Sequence, residues 1–318
     1  MTSPLDRRTF IASATGAALA TTGLSGCANT QGSASGSPTA TGQVRKVLWA
    51  ANVRNKPLAE RFEAARVGGF THMSMFPIDY QQLRSQGQSH ESIKSMVRAS
   101  GIGFVACDPF TKWVPRWAMP AGYPDSYKQF VDYDADYMFR MAETLGADTI
   151  NCVEPFGTKY STEEMANGLG AFSELAAKNG IKTALEFMPI SGIADLRAGW
   201  DVVNRVNSKN VGLTFDTWHY YRSTPNAQLL AQIPIEKIFE VQLADAIAQI
   251  QGGDLVTDLL QFRLAPGDGS FDIKSLLNII RQKGPIQSIG PEVFAKAFDE
   301  MTALDAGRKA GASLARWL

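Results

Sequence analysis

The chain has 318 residues, 45% hydrophobic and 19% charged, with 31 Lys+Arg against 31 Asp+Glu. That length accommodates one large barrel domain or two smaller domains. A net charge of zero removes the electrostatic case for nucleic acid or an anionic membrane surface as partner.

The first element in chain order reads as an address rather than as structure. Arg7-Arg8-Thr9-Phe10 is a twin-arginine pair followed by an apolar residue, an Ala-rich run covers residues 11–24, and Leu24-Ser25-Gly26-Cys27 resembles a lipobox. A first amphipathic helix is the alternative, but Gly16, Gly23 and Gly26 would weaken it. Residues 1–27 are therefore expected to be a lipoprotein-type signal with Cys27 as the lipidation site. Residues 28–43, almost all Ala, Thr, Ser, Gly, Asn, Gln and Pro, are expected to be a flexible linker. Neither belongs to the fold. Twin-arginine export moves folded proteins, so this reading puts the protein in the periplasm or on the cell surface, with membrane contact only through the lipid.

From residue 44 on, short β-rich runs alternate with longer helical ones. The pattern predicts strands at 44–51, 70–76, 103–107, 148–153, 182–187, 211–215 and 238–243, and an eighth reached through 286–289. Helices are predicted at 56–67, 91–99, 126–145, 162–178, 194–206, 226–231, 273–282 and 300–317. Eight strand–helix units over residues 44–318 suggest a closed (β/α)8 barrel or a doubly wound open sheet. The open sheet usually places a Gly-rich turn after its first strand; here that turn is Asn52-Val53-Arg54-Asn55-Lys56-Pro57. A single α/β TIM barrel is the expected fold.

Such a barrel carries its chemistry at the C-terminal ends of its strands. Strands five to eight end in Leu185-Glu186-Phe187, Phe215-Asp216-Thr217, Val241-Gln242-Leu243 and Pro291-Glu292-Val293. Any one of these polar residues could be a strand-end salt-bridge partner. Four at the same end of adjacent strands, each flanked by apolar residues, would be costly to bury without a cation. All-oxygen donors suit Mg2+ or Mn2+, with Co2+ or Zn2+ as alternatives. His219, three residues after Asp216, reads as a ligand, a substrate partner or an acid/base, against a helix-capping alternative. His72 reads as a barrel residue and His90 as an exposed one. Glu154, at the end of strand four, binds sugar hydroxyls or is structural. Arg263 could hold a carboxylate or an enolate oxygen, or be a loop arginine. Trp113, Trp117 and Tyr123 either wall a sugar or pack their loop. Cys107 and Cys152 read as small buried hydrophobes, with a disulfide as the alternative.

These motifs, together with Gln242-Leu243-Ala244-Asp245 and Ala265-Pro266-Gly267-Asp268-Gly269, resemble those of the xylose isomerase-like barrels. That superfamily includes sugar isomerases and epimerases, inosose dehydratases and bacterial 3-dehydroshikimate dehydratases. The resemblance covers residues 44–318 and is most specific from 182 onward. It implies metal ligands Glu186, Asp216, Gln242 and Glu292. It also implies catalytic roles for Glu186, Glu292 and His219, and a small sugar or polyol substrate reacting through an enediolate. Gln242 stands where ketose 3-epimerases typically carry His, which resembles the dehydratases instead. The expected function is a divalent-metal-dependent isomerase or epimerase on a non-phosphorylated sugar or keto-sugar. The alternatives are a dehydratase (lyase) on a cyclic polyol or keto acid, and a non-catalytic sugar-binding lipoprotein. An endonuclease role would need a His-rich metal cluster and a basic groove, and three histidines in a neutral chain do not fit it. Homo-oligomerisation is left open.

Overall fold

The computed structural model describes residues 44–123 and 127–318, so the expected signal, the Cys27 lipid site and the linker lie outside the described residues. Eight parallel strands close in sequence order: β1 Arg45–Leu48, β2 His72–Met75, β3 Gly103–Phe110, β4 Thr149–Cys152, β5 Lys182–Glu186, β6 Val211–Asp216, β7 Ile238–Leu243 and β8 Ser288–Pro291. The closing seam pairs Arg45 with Ser288 and Lys46 with Ile289. At that seam a Cβ on Gly290 would lie 1.7 Å from the Val47 carbonyl oxygen, so only glycine lets β8 approach β1 this closely.

Helices surround the barrel: α1 Leu58–Val67, α2 Pro77–Ser85, α3 His90–Ser100, α4 Lys128–Val131, α5 Ala135–Leu145, α6 Thr162–Lys178, α7 Leu196–Val206, α8 Thr217–Arg222, α9 Ala227–Gln232, α10 Leu255–Gln261, α11 Ile273–Arg281, α12 Lys296–Asp299 and α13 Ala303–Ala315. Local chemistry explains their limits. The α6 start is a capping box in which the Ser161 side chain accepts from the Glu164 amide while Glu164 reaches back to the Ser161 amide. The helix predicted at 126–145 is broken, because Asp134 turns its carboxylate onto the Tyr137 amide (2.7 Å) and starts α5 afresh. The first strand ends at Leu48, earlier than predicted, and residues Ala50–Val53 form a 3-10 turn. The Asn52 side chain pins that turn to the Trp49 and Pro291 carbonyls.

Helices α2, α8, α10 and α12 were not predicted; each is short and follows a strand or loop directly. Both Cys107 and Cys152 are free, buried thiols. His90 is hydrogen-bonded to the Tyr80 hydroxyl at 2.6 Å. Among the described residues, no helix is long and apolar enough to cross a membrane.

Candidate functional site

The register puts the polar strand ends side by side: Glu186 pairs with Thr214, Asp216 with Gln242, and Gln242 with Gly290, two residues before Glu292. All four predicted donors are buried, from fully for Asp216 and Gln242 to 5% exposed for Glu186.

Asp216 has a second local job. It is the N-cap of α8, its Oδ1 accepting from the His219 amide at 2.8 Å. An Asp at the N-cap bonds the amide two or three residues on. The same aspartate therefore ends β6 and starts the turn that brings His219 over the barrel mouth. His219 thus sits in the short helix that Asp216 caps. His219 Nε2 lies 3.2 Å from Glu186 Oε1, and ligand atoms of Glu186, Asp216 and His219 all fall within 4.8 Å of one another.

Arg263 enters from beyond α10, where its amide bonds the Phe294 carbonyl. Its Nη1 reaches Asp216 Oδ2 at 2.8 Å and Glu292 Oε2 at 3.2 Å, and Nη2 lies 3.3 Å from His219 Nε2. The guanidinium packs over the rings of Trp218 and Phe294, 5.0 and 5.2 Å from their centroids. Gln242 Nε2 donates to Glu292 Oε1 at 3.2 Å, and its Oε1 is buried without a partner.

The electrostatics follow from burial opposed by few cations. Burial would raise the Asp216 carboxyl, but Arg263 and His219 beside it hold it below the usual carboxylate range. Glu292 goes the other way: burial pushes it well up, Arg263 opposes, and the neighbouring Glu186, Asp216 and Asp108 add to the rise.

Beneath the mouth lies a polar layer that sequence reasoning missed. Asn151 of β4 uses both N–H bonds of Nδ2, one on Glu186 Oε2 (2.8 Å) and one on Asp108 Oδ1 (3.2 Å). Its Oδ1 lies 3.0 Å from the Thr214 hydroxyl, which is also 3.0 Å from Glu240 Oε2. A hydroxyl has one proton, so with both contacts satisfied Glu240 must donate as the neutral acid. Burial pushes Glu240 up to about 8, in agreement. Asp108 is likewise raised well above a normal aspartate by burial, Glu186 and Glu240. The available signal was a polar residue two positions before a strand-end donor: Glu240 before Gln242, and Thr214 before Asp216.

The remaining predicted contacts sit apart. Glu154 accepts from the backbone amides of Phe156, Gly157, Thr158 and Gly192. Trp113 donates from its indole N–H to the Val153 carbonyl at 3.0 Å. Neither is joined to the Glu186–Glu292 cluster by a described hydrogen bond. The segment 265–271 folds around Asp245, whose carboxylate accepts from the Gly267 and Phe271 amides.

The donors fit a divalent cation. Three buried carboxylates have the one guanidinium of Arg263 among them, and with an amide oxygen without a partner and an imidazole within ligand distance of two carboxylates they form a donor set that a divalent cation would suit.

The chain closes as a (β/α)8 barrel with this cluster at the C-terminal ends of its strands. The chain belongs to the xylose isomerase-like TIM barrel family, whose model matches residues 62–317. Among curated relatives, inosose isomerase of Bacillus subtilis is 29% identical over 177 residues, covering 53% of this chain and 62% of its own length. The 3-dehydroshikimate dehydratase of Pseudomonas aeruginosa is 28% identical over 244 residues, 76% of this chain and 37% of its own length. The chain thus spans less than two thirds of either relative. Among solved structures, an IolI protein with a bound zinc atom superposes with a TM-score of 0.72 at 21% identity, over 86% of this chain and 97% of its own. At that identity the likeness establishes the fold.

Proposed function

We propose that the chain is a divalent-metal-dependent isomerase or epimerase that moves a proton beside the carbonyl of a non-phosphorylated keto-sugar or cyclic polyol ketone. One observation carries the reading. Two glutamates at the ends of β5 and β8 face one mouth in contrasting surroundings, Glu186 accepting from Asn151 beside His219, and Glu292 accepting from Gln242 and Arg263. Titratable pairs whose environments diverge are the usual mark of a base and an acid in one site.

In this scheme Glu186, Asp216, Gln242 and Glu292 hold the cation, with His219 as an added ligand or substrate partner. Mn2+ or Mg2+ suits the oxygens, and His219 leaves Co2+ or Zn2+ in play. When bound, the cation would supply positive charge to negative charge developing on substrate oxygens. Glu186 takes the proton from the carbon next to the carbonyl. Glu292 delivers a proton to the neighbouring carbon or the opposite face. Arg263 and His219 hold substrate oxygens, and the burial of the whole set keeps water from competing for them.

A dehydratase is the second reading, supported by the 76% of this chain that aligns with a 3-dehydroshikimate dehydratase. It shares the first proton transfer and differs in expelling a β-hydroxyl, which His219 or Glu292 would protonate. Twin-arginine export and a lipid on Cys27 complete the proposal and favour an unphosphorylated substrate. The test is incubation of protein loaded with each of the four metals with keto-sugars, inososes and 3-dehydroshikimate, with products followed by NMR. An isomer supports the first reading, a product lighter by one water the second. No turnover, with saturable binding alone, would make the chain a sugar-binding protein.

A further inference from the structure

The interior of an eight-stranded barrel is normally filled by branched apolar side chains. On the β1–β3 side this one conforms, with Val47, Trp49, Val105 and Ala106 packed together. On the β4–β7 side it does not: Asn151, Thr214 and Glu240 are fully buried. Burying polar side chains costs free energy unless each is hydrogen-bonded, and even then an apolar filling would serve stability as well. Three polar residues from three strands arranged in one chain, and ending on Glu186, point beyond stability.

We propose that Asn151, oriented by Thr214, is the positioning residue that sets the Glu186 carboxylate for the cation. Three geometric facts carry this. The Asn151 amide gives one N–H to Glu186 Oε2 at 2.8 Å, which fixes that oxygen and leaves Oε1 on the His219 side, 3.2 Å from Nε2. Its other N–H goes to Asp108 Oδ1, so one amide stands between two carboxylates that would otherwise face each other in the buried interior. The two carboxylates select the Nδ2 end of the amide, since a flipped amide would turn its oxygen on both of them, and the Thr214 hydroxyl, 3.0 Å from Oδ1, holds the amide in that position. No residue of this trio was marked by the sequence motifs, and none belongs to the ligand set.

The inference rests on the reading of Glu186 as a metal ligand, and the experiment separates the two. Mn2+ is titrated calorimetrically into the full-length protein and its Asn151→Leu, Thr214→Val and Thr214→Ser variants. Thermal unfolding in EDTA serves as the fold control, and the visible spectrum of the Co2+ form reports the ligand geometry. Outer residues that orient ligands change metal affinity by about 10–100-fold when removed. Asn151→Leu and Thr214→Val should weaken Mn2+ binding by that factor and alter the Co2+ spectrum. Thr214→Ser, which keeps the hydroxyl, should restore both to the wild-type values.

Wild-type Mn2+ affinity in a folded Asn151→Leu or Thr214→Val protein overturns the proposal. So does unfolding of both, which would assign the pair to stability alone. Failure of the wild type to bind any divalent cation contradicts the metal reading itself, and the inference falls with it.

Discussion

Arg263 places its Nη1 2.8 Å from Asp216 Oδ2, with both side chains almost wholly removed from solvent. The same nitrogen reaches Glu292, so one guanidinium serves two of the four predicted ligands. Removing one partner of such a buried pair leaves an uncompensated charge and costs about 3–5 kcal/mol. Arg263→Met should therefore lower the stability of EDTA-treated protein by about that amount in urea denaturation. A loss below about 1 kcal/mol would mean that the pair is solvated after all.

Glu240 makes stability depend on pH. Its folded-state pKa of about 8 lies above that of an exposed glutamate, so the native state binds a proton that the unfolded state releases between roughly pH 4.5 and 8. The contribution is complete below the unfolded value and is lost as pH rises through about 8. Urea unfolding of the wild type should accordingly weaken by a few kcal/mol on the order of one per pH unit across that window. Glu240→Gln, which keeps the neutral hydrogen-bonding shape, should make the profile less steep, the remaining slope belonging to Asp108 and Glu292, whose carboxyls burial also raises. An equally steep profile in the variant would place the titrating group elsewhere.

Glu154 holds the β4–α6 loop and Gly192 through four backbone amides. Amides left without acceptors cost about 1–3 kcal/mol each when buried, and less at these four partly buried residues, which water can reach. Glu154→Ala should therefore destabilise the protein by about 2–4 kcal/mol. A sugar-binding role for Glu154 would show instead as a raised KM in a variant of unchanged stability.

Ligand removal gives a further check. A cation that binds only the folded state stabilises by about 2.7 kcal/mol at one hundred times its Kd. Adding Mn2+ to chelator-stripped protein should raise Tm by several degrees, and Asp216→Asn should abolish the shift. An unchanged Tm across millimolar Mn2+ would argue against the site.

Much of this was legible in the chain. Helix α6 and strand β7 fall at Thr162–Lys178 and Ile238–Leu243, where the apolar periodicity placed them. The strand-end positions of Glu186, Asp216, Gln242 and Glu292 follow from reading each strand to its last apolar residue. What stayed hidden depends on contacts between distant segments. Arg263 was marked as a cation that could hold a carboxylate, but which carboxylates it meets depends on α10 and on the backbone bond to Phe294. Asn151 and Thr214 are single polar residues inside short strands, and only closure of the barrel shows that they meet. The break at Asp134 was masked because Phe130, Met138 and Met141 keep helical spacing across it, while the carboxylate caps a new helix.

The most direct test of the central claim is solvent exchange in D2O with the metal-loaded wild type, Glu186→Gln and Glu292→Gln, on a substrate found by the product screen. The wild type should incorporate deuterium at the carbon beside the carbonyl and form product. Glu186→Gln should do neither, whereas Glu292→Gln should still exchange that position but yield little product. Undiminished exchange in a metal-loaded Glu186→Gln protein would contradict the assignment of Glu186 as the base, and with it the account of the paired glutamates.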